Sequence, residues 1–252
     1  MSGLRARRSI NRRGPLTWAG RFFCAAILGI APGPGGIAQD APVTGPALNA
    51  AGTGAELTPD SAIGRVNRAG FKSREMCSGA LIAPDLVLTA AHCADFAAGA
   101  EDLWRDIVFV AGWNGETHAG ASPARRVLMH PFAFLGGKLR PKHDLALIVL
   151  EQSLEIDPLS LGTLAVAEPV SIKGYRHNRP HRLSMEAPCD AAPLQGMIAI
   201  NCQVAHGQSG GPVVQDGRVV GVVSLSTGTG ALAVFPDLWI DKILHSDYRI
   251  IN

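Results

Sequence analysis

Short runs of apolar residues recur along the chain between residues 62 and 225. Turn-forming pairs separate them, and Asp216-Gly217 between two valine-rich runs is a strong hairpin signal. Runs of this length at regular spacing are typical of β-sandwiches and β-barrels, so an all-β domain is predicted. The predicted strands are residues 62–66, 78–83, 86–89, 107–111, 124–129, 145–150, 170–175, 197–200, 211–214 and 219–225.

One segment near the C-terminus has a different pattern. The apolar residues of 238–244 are spaced for a single helical face, and Pro236-Asp237 precedes them where a helix would begin. A C-terminal helix is therefore predicted. No internal repeat of 20–50 residues interrupts the pattern, and the length beyond residue 60 suits one domain.

The first 38 residues are interpreted as a signal peptide. Six arginines precede a short apolar run at 22–30, and the small residues Gly36 and Ala38 follow it where a cleavage site before Gln39 would need them. This run is far below the ~20 residues that a membrane span needs, and the arrangement is typical of an export signal that is later removed. A disordered basic tail is the alternative. We expect a secreted or periplasmic protein without a stable membrane anchor.

Residues 39–60 contain much Ala, Pro, Gly and Thr and have no apolar period, which predicts a flexible lead-in or pro-segment before a domain at 61–252. The whole chain has a net charge of +2, but six arginines lie in the predicted signal, so the remainder is slightly acidic. No basic patch with interleaved aromatic residues is present. Nucleic acid is therefore excluded as an expected partner.

Four cysteines remain after the predicted signal, an even number that favours two disulfides in an exported protein. Of the three possible pairings, the spacing favours Cys77 with Cys93 and Cys189 with Cys202, each closing a loop worth ~3 kcal/mol. Four buried thiols are the alternative. The cysteines do not form close pairs of the kind that bind zinc, so we expect no metal ion and no cofactor.

Three segments carry candidate chemistry. Residues 205–213 read Ala-His-Gly-Gln-Ser-Gly-Gly-Pro-Val, and glycines around a serine allow a tight turn with an exposed hydroxyl. Segments 88–93 (Leu-Thr-Ala-Ala-His-Cys) and 143–147 (His-Asp-Leu-Ala-Leu) precede it. Each motif alone is most often structural, but together they supply histidine, aspartate and serine in the order of one known catalytic triad. The three residues are His92, Asp144 and Ser209.

With these motifs, the chain resembles the chymotrypsin-like serine peptidases, and within them the bacterial glutamyl-endopeptidase-like branch, from about Ser61 to Leu244. The resemblance implies two packed six-stranded antiparallel β-barrels with the site in the cleft between them. It also implies an endopeptidase that cleaves protein or peptide substrates through an acyl-enzyme. The N–H groups of Gly207 and Ser209 would form the oxyanion hole.

The resemblance places six residues around the substrate side chain: Gln203, Val204, Val223, Ser224, Leu225 and Ser226. None is charged, which disfavours selection of Lys or Arg, and glutamyl enzymes have a histidine where Val223 stands. We therefore expect cleavage after uncharged residues. Ser224 is also implied to hydrogen-bond Asp144.

The chain departs from trypsin-like enzymes at Gln208, where those enzymes have an aspartate that pairs with a new N-terminal amine. No Ile-Val-Gly-Gly start is present either. Activation by such an ion pair is therefore disfavoured, and removal of the signal, with or without 39–60, is the simpler expectation. A different contact of the mature N-terminus with the site is the alternative.

Two other functions were weighed. A catalytically inactive binding or scaffold protein on the same fold would result if the turn around Gly207 were collapsed. An esterase of the α/β-hydrolase type is excluded by motif order, because that fold runs serine, acid, histidine.

Overall fold

The computed structural model describes residues 56–68, 76–94 and 106–248. The predicted signal peptide and nearly all of the predicted lead-in lie outside these ranges, and the proposed domain boundaries stay predictions. Within the described ranges, no helix combines the length and hydropathy needed to cross a membrane.

The N-terminal half folds into a closed six-stranded antiparallel barrel in the order β1-β2-β3-β8-β5-β4. Phe109, Leu81 and Ile148 fill its interior with fully buried side chains. Strands β6 and β7 form a small separate hairpin. The strands are β1 (Ile63–Arg68), β2 (Met76–Ala83), β3 (Leu86–Thr89), β4 (Ile107–Ala111), β5 (Gly120–Met129), β6 (Phe134–Leu135), β7 (Lys138–Leu139) and β8 (Ala146–Leu150).

The C-terminal half is a seven-stranded antiparallel sheet in the order β10-β9-β13-β14-β15-β12-β11. Its two outermost strands, β10 and β11, are separated in the chain by Asp190 alone, so they are two halves of one bent strand. The predicted second six-stranded barrel is thus found as a half-barrel whose edges are joined through the chain at this bend. The strands are β9 (Val170–Arg176), β10 (Arg179–Cys189), β11 (Ala191–Leu194), β12 (Met197–Ile200), β13 (Pro212–Gln215), β14 (Arg218–Ser226) and β15 (Ala231–Val234).

The two halves share an apolar core. Leu88 and Leu147 of the first barrel belong to the same buried cluster as Val222 and Val234 of the second sheet. The predicted C-terminal helix, α2 (Leu238–Leu244), covers this cluster with Ile240. A second, very short helix, α1 (Ala91–Ala94), was not predicted and follows β3 directly. This arrangement fixes the ends of β3, β8 and β14 relative to one another.

Both predicted disulfides are present. Cys77 of β2 is bonded to Cys93 of α1, and Cys189 at the end of β10 is bonded to Cys202. The first bond ties α1, which carries His92, to the barrel wall. The second closes the segment that leads into the serine-containing turn.

Candidate active site

His92 and Asp144 form a doubly bonded pair. The His92 ring Nδ1 lies 2.7 Å from Asp144 Oδ2, and the His92 backbone N–H donates to Asp144 Oδ1 at 2.9 Å. The carboxylate is fully buried, while 30% of the imidazole is exposed. Because Nδ1 faces the carboxylate, Nε2 is the ring nitrogen that Asp144 leaves unused.

Ser224 of β14 supports this pair from the second half of the molecule. Its hydroxyl donates to Asp144 Oδ2 at 2.5 Å, which is the contact implied by the resemblance. The carboxylate thus accepts three hydrogen bonds without contact with water. Hydrogen bonds to an ionised group are about twice as strong as neutral ones, so this arrangement fixes the direction of the carboxylate.

Ser209 lies on a turn that packs against the residues preceding His92. Its carbonyl accepts from Ser78 N at 2.8 Å, and Gly210 N donates to Val223 O at 2.8 Å. A methyl group on Gly210 would stand 2.1 Å from Thr89 Oγ1 and 3.0 Å from Ala90 N. The turn that carries the serine therefore packs against the residues just before the His92 helix, and only glycine fits at position 210.

The carbonyl groups of the turn are all occupied. His206 O accepts from His177 N at 2.7 Å, and Gly207 O accepts from the Ser78 hydroxyl at 2.7 Å. By contrast, the N–H groups of Gly207 and Ser209 donate to no acceptor within the described ranges. Unpaired backbone donors are uncommon in a folded protein, and two of them beside a serine are what a developing oxyanion requires.

No hydrogen bond joins His92 Nε2 to Ser209 Oγ among the described contacts; the sulfur of Cys93, 3.6 Å away, is the neighbour of this nitrogen. Catalytic hydrogen bonds are often long in unliganded sites and shorten when substrate binds. The structure therefore pairs two of the three predicted side chains directly and connects the third through the packing of its turn.

The six predicted pocket residues differ in accessibility. Gln203 and Ser226 are exposed, and Val204 and Leu225 are half-buried. Val223 is buried in the core of the second sheet, and its backbone N–H and carbonyl are both bonded within the turn region. The Gln203 amide donates to Gly228 O at 2.7 Å. Their contribution to substrate binding stays a prediction.

A second cluster of polar side chains lies beside Asp144. His130 Nε2 is 3.0 Å from Asp237 Oδ2, and His130 Nδ1 accepts from Phe132 N at 3.1 Å. His143 stacks on His130, and desolvation, followed by the proximity of His130, lowers its pKa. The side chains of His130, His143 and Asp237 are close enough to share a cation. Both nitrogens of His130 are already engaged with protein groups, which favours a structural role.

One functional candidate, Arg176, escaped the sequence reasoning. Arg176 of β9 donates through Nε to the Gln208 side chain at 3.2 Å, and its terminal nitrogen bonds Glu186 of β10. Tyr175, next to Arg176, is buried, and burial raises the pKa of its hydroxyl, which donates to Trp113 O at 2.9 Å. The strand that carries Glu186 has no apolar pattern, so no signal in the sequence indicated the contact between Arg176 and Glu186.

The closed barrel, the half-barrel sheet and the single C-terminal helix define an all-β chymotrypsin-like fold. The trypsin-like peptidase domain family matches residues 77–222, more than half of the chain, and the chain belongs to this family.

Many solved structures share the fold, including neuropsin and a scabies mite protein. Neuropsin, a serine protease expressed in the limbic system of mouse brain, superposes with a TM-score of 0.59 at 20% identity, covering 75% of this chain and 97% of neuropsin. The scabies mite inactivated protease paralogue S-I1 gives a TM-score of 0.61 at 19% identity, covering 77% of this chain and 98% of the paralogue. A comparison with curated proteins gave no match.

Proposed function

We propose that this protein is an exported serine endopeptidase that uses Ser209 as nucleophile, His92 as general base and Asp144 as the group that orients the base. The observation that carries the proposal is the buried carboxylate of Asp144, which accepts two hydrogen bonds from His92 and one from Ser224. A structural role would not need an imidazole that is 30% exposed and is held by two hydrogen bonds to a buried carboxylate.

The chemistry follows from this arrangement. A serine hydroxyl is a poor nucleophile at neutral pH, so His92 Nε2 accepts its proton as the oxygen attacks the substrate carbonyl. Asp144 stabilises the resulting imidazolium, and the N–H groups of Gly207 and Ser209 stabilise the oxyanion. The imidazolium returns the proton to the leaving amine. Water then attacks the acyl-enzyme by the same route and regenerates the hydroxyl.

We further propose cleavage after uncharged residues, since none of the predicted pocket residues bears a charge. Gln203, at the predicted base of the pocket, is tied by its amide to Gly228. An apolar pocket separates substrates that differ by one methylene by only ~1–3 kcal/mol, so the preference is broad. Placement in the glutamyl-endopeptidase-like branch stays a proposal, and Val223, where those enzymes have a histidine, counts against a strict preference for Glu.

A diverse peptide library tests both claims. The mature protein, secreted from the full-length chain, should cut after uncharged residues, and a Ser209→Ala variant prepared identically should not cut. A strict preference for Arg, Lys or Glu would overturn the pocket assignment while leaving the triad intact. Absence of cleavage in both samples would overturn the peptidase proposal.

A binding protein without activity is the second candidate. The absence of a hydrogen bond between His92 Nε2 and Ser209 Oγ in the described structure favours it, and the scabies mite neighbour is described as an inactivated protease paralogue. Reaction of Ser209 with a fluorophosphonate separates the two candidates, because the reagent requires an activated hydroxyl.

A further inference from the structure

Gln208, the residue before Ser209, is fully buried but carries no charge. Its backbone closes the turn, since Gln208 N donates to Ala205 O at 3.1 Å and Gly211 N donates to Gln208 O at 3.0 Å. Both backbone groups are therefore used inside the turn. Only the side chain is left to connect this residue to the surrounding sheet.

That side chain is held by Arg176. Gln208 Oε1 accepts from Arg176 Nε at 3.2 Å and from Ala205 N at 2.9 Å. Arg176 in turn forms an ion pair with Glu186 on the adjacent strand β10, and each of these two charged side chains is 24% exposed. The contacts thus run from the carboxylate of Glu186 to the guanidinium of Arg176, then to the side-chain amide of Gln208 and the backbone of Ala205.

This chain of contacts reaches the two N–H groups of the proposed oxyanion hole, those of Gly207 and Ser209. Ala205 N and Arg176 Nε share one amide oxygen, so a movement of Gln208 would also move Ala205 and release the turn between them. Gly207 lies in that turn with φ +96°, which glycine adopts without strain. Because glycine has this wide backbone freedom, contacts from outside the turn are needed to hold one conformation. Holding Gln208 therefore holds the N–H groups of Gly207 and Ser209 in place.

We propose that Arg176, oriented by Glu186, is a positioning residue that fixes Gln208 and with it the oxyanion turn. The support comes from within the folded domain, so the site does not require a newly formed N-terminal ammonium. This inference rests on the proposed peptidase function, because its readout is the reactivity of Ser209.

The test compares three secreted variants with the wild-type protein. Arg176→Met removes both contacts and keeps an unbranched apolar side chain in place of the aliphatic part of the arginine. Glu186→Gln removes only the ion pair. Lys173→Met is the matched control, because it removes another ion pair of β9, to Asp60 at 2.6 Å, away from the turn. The measurements are the rate constant for fluorophosphonate labelling, kcat and KM for one peptide, and the thermal midpoint.

Loss of one oxyanion donor costs ~10²–10³ in kcat, so Arg176→Met is expected to lower the labelling rate and kcat within or slightly below that range, with little change in KM. Glu186→Gln is expected to give a smaller loss of the same kind, and Lys173→Met none. A wild-type labelling rate in folded Arg176→Met would overturn the proposal. If Arg176→Met does not fold, Glu186→Gln decides in the same way.

The N-terminal part of the proposal has its own measurement. Transamination of the mature α-amine to a ketone, verified by mass spectrometry, is expected to leave the labelling rate unchanged, and loss of labelling would overturn the proposal. If the unmodified wild-type protein is not labelled, the proposed function fails first and this inference fails with it. If the wild type is labelled and Arg176→Met is equally reactive, only this inference fails.

Discussion

Replacing Ser224 by alanine is expected to destabilise the protein and slow catalysis through a single lost hydrogen bond. The hydroxyl donates to Asp144 Oδ2 at 2.5 Å, the carboxylate is fully buried, and Ser224 itself is 3% exposed. Water therefore has no route to replace the lost donor. A hydrogen bond to a charged group contributes about 1.5–3 kcal/mol, which corresponds to ~3–12 °C in the thermal midpoint of a domain of this size.

The effect on kcat is bounded by the same energy. If the full contribution is lost in the transition state, kcat falls about 10- to 150-fold, well short of the ~10⁴ expected for replacing Asp144 by its amide. KM is expected to stay unchanged, because the contact lies behind the carboxylate. Urea unfolding measures the loss in the free energy of unfolding, and steady-state kinetics on one peptide measure kcat and KM.

Ser171→Ala is the matched control, since that hydroxyl donates at 3.3 Å to the neutral carbonyl of Val214. Its loss is expected to cost about 0.5–1.5 kcal/mol and to leave kcat unchanged. The reasoning is refuted if Ser224→Ala costs no more than Ser171→Ala, or if its kcat equals that of the wild type.

Three further outcomes follow. Gly210 and Gly217 have nearly equal φ, +76° and +74°, but only at Gly210 would an added methyl group meet close neighbours. Urea unfolding is expected to show a loss of about 2–6 kcal/mol in the free energy of unfolding for Gly210→Ala and of about 1–2 kcal/mol for Gly217→Ala. Equal losses would contradict the steric argument. Changing Cys189 and Cys202 together to serine should cost ~3 kcal/mol in the same assay, and a loss near zero would contradict it. Desolvation holds the pKa of His143 below its ordinary 6.5. The unfolded chain therefore binds the proton at a higher pH than the folded protein, and stability falls as pH drops through that region. The thermal midpoint of His143→Gln should fall less steeply with pH than that of the wild type, and an equally steep fall would contradict the lowered pKa of His143.

The chain pattern predicted most of the strands with buried side chains, but it missed the short buried strand β15 and the exposed strand β10. Strands β3, β4 and β12 lie where the apolar runs placed them. Strand β10 was missed because its side chains are mostly exposed and two prolines interrupt it. Backbone hydrogen bonds pair β10 with β9. Neither these bonds nor the bend at Asp190 leaves a hydrophobic period in the sequence.

The candidate site shows the same division. The order of His92, Asp144 and Ser209 in three motifs indicated which side chains to look for, and the structure pairs the first two. The support of Gln208 by Arg176 was not predictable, because it depends on how the serine-containing turn packs against β9. Sequence spacing identifies reacting groups, whereas the residues that position them depend on strand register.

Fluorophosphonate labelling of the folded protein tests the central claim most directly. The account predicts a single adduct on Ser209, located by mass spectrometry, and no adduct in His92→Ala or Ser209→Ala. An unlabelled wild-type protein, or labelling of Ser209 that persists at the same rate in His92→Ala, would contradict it.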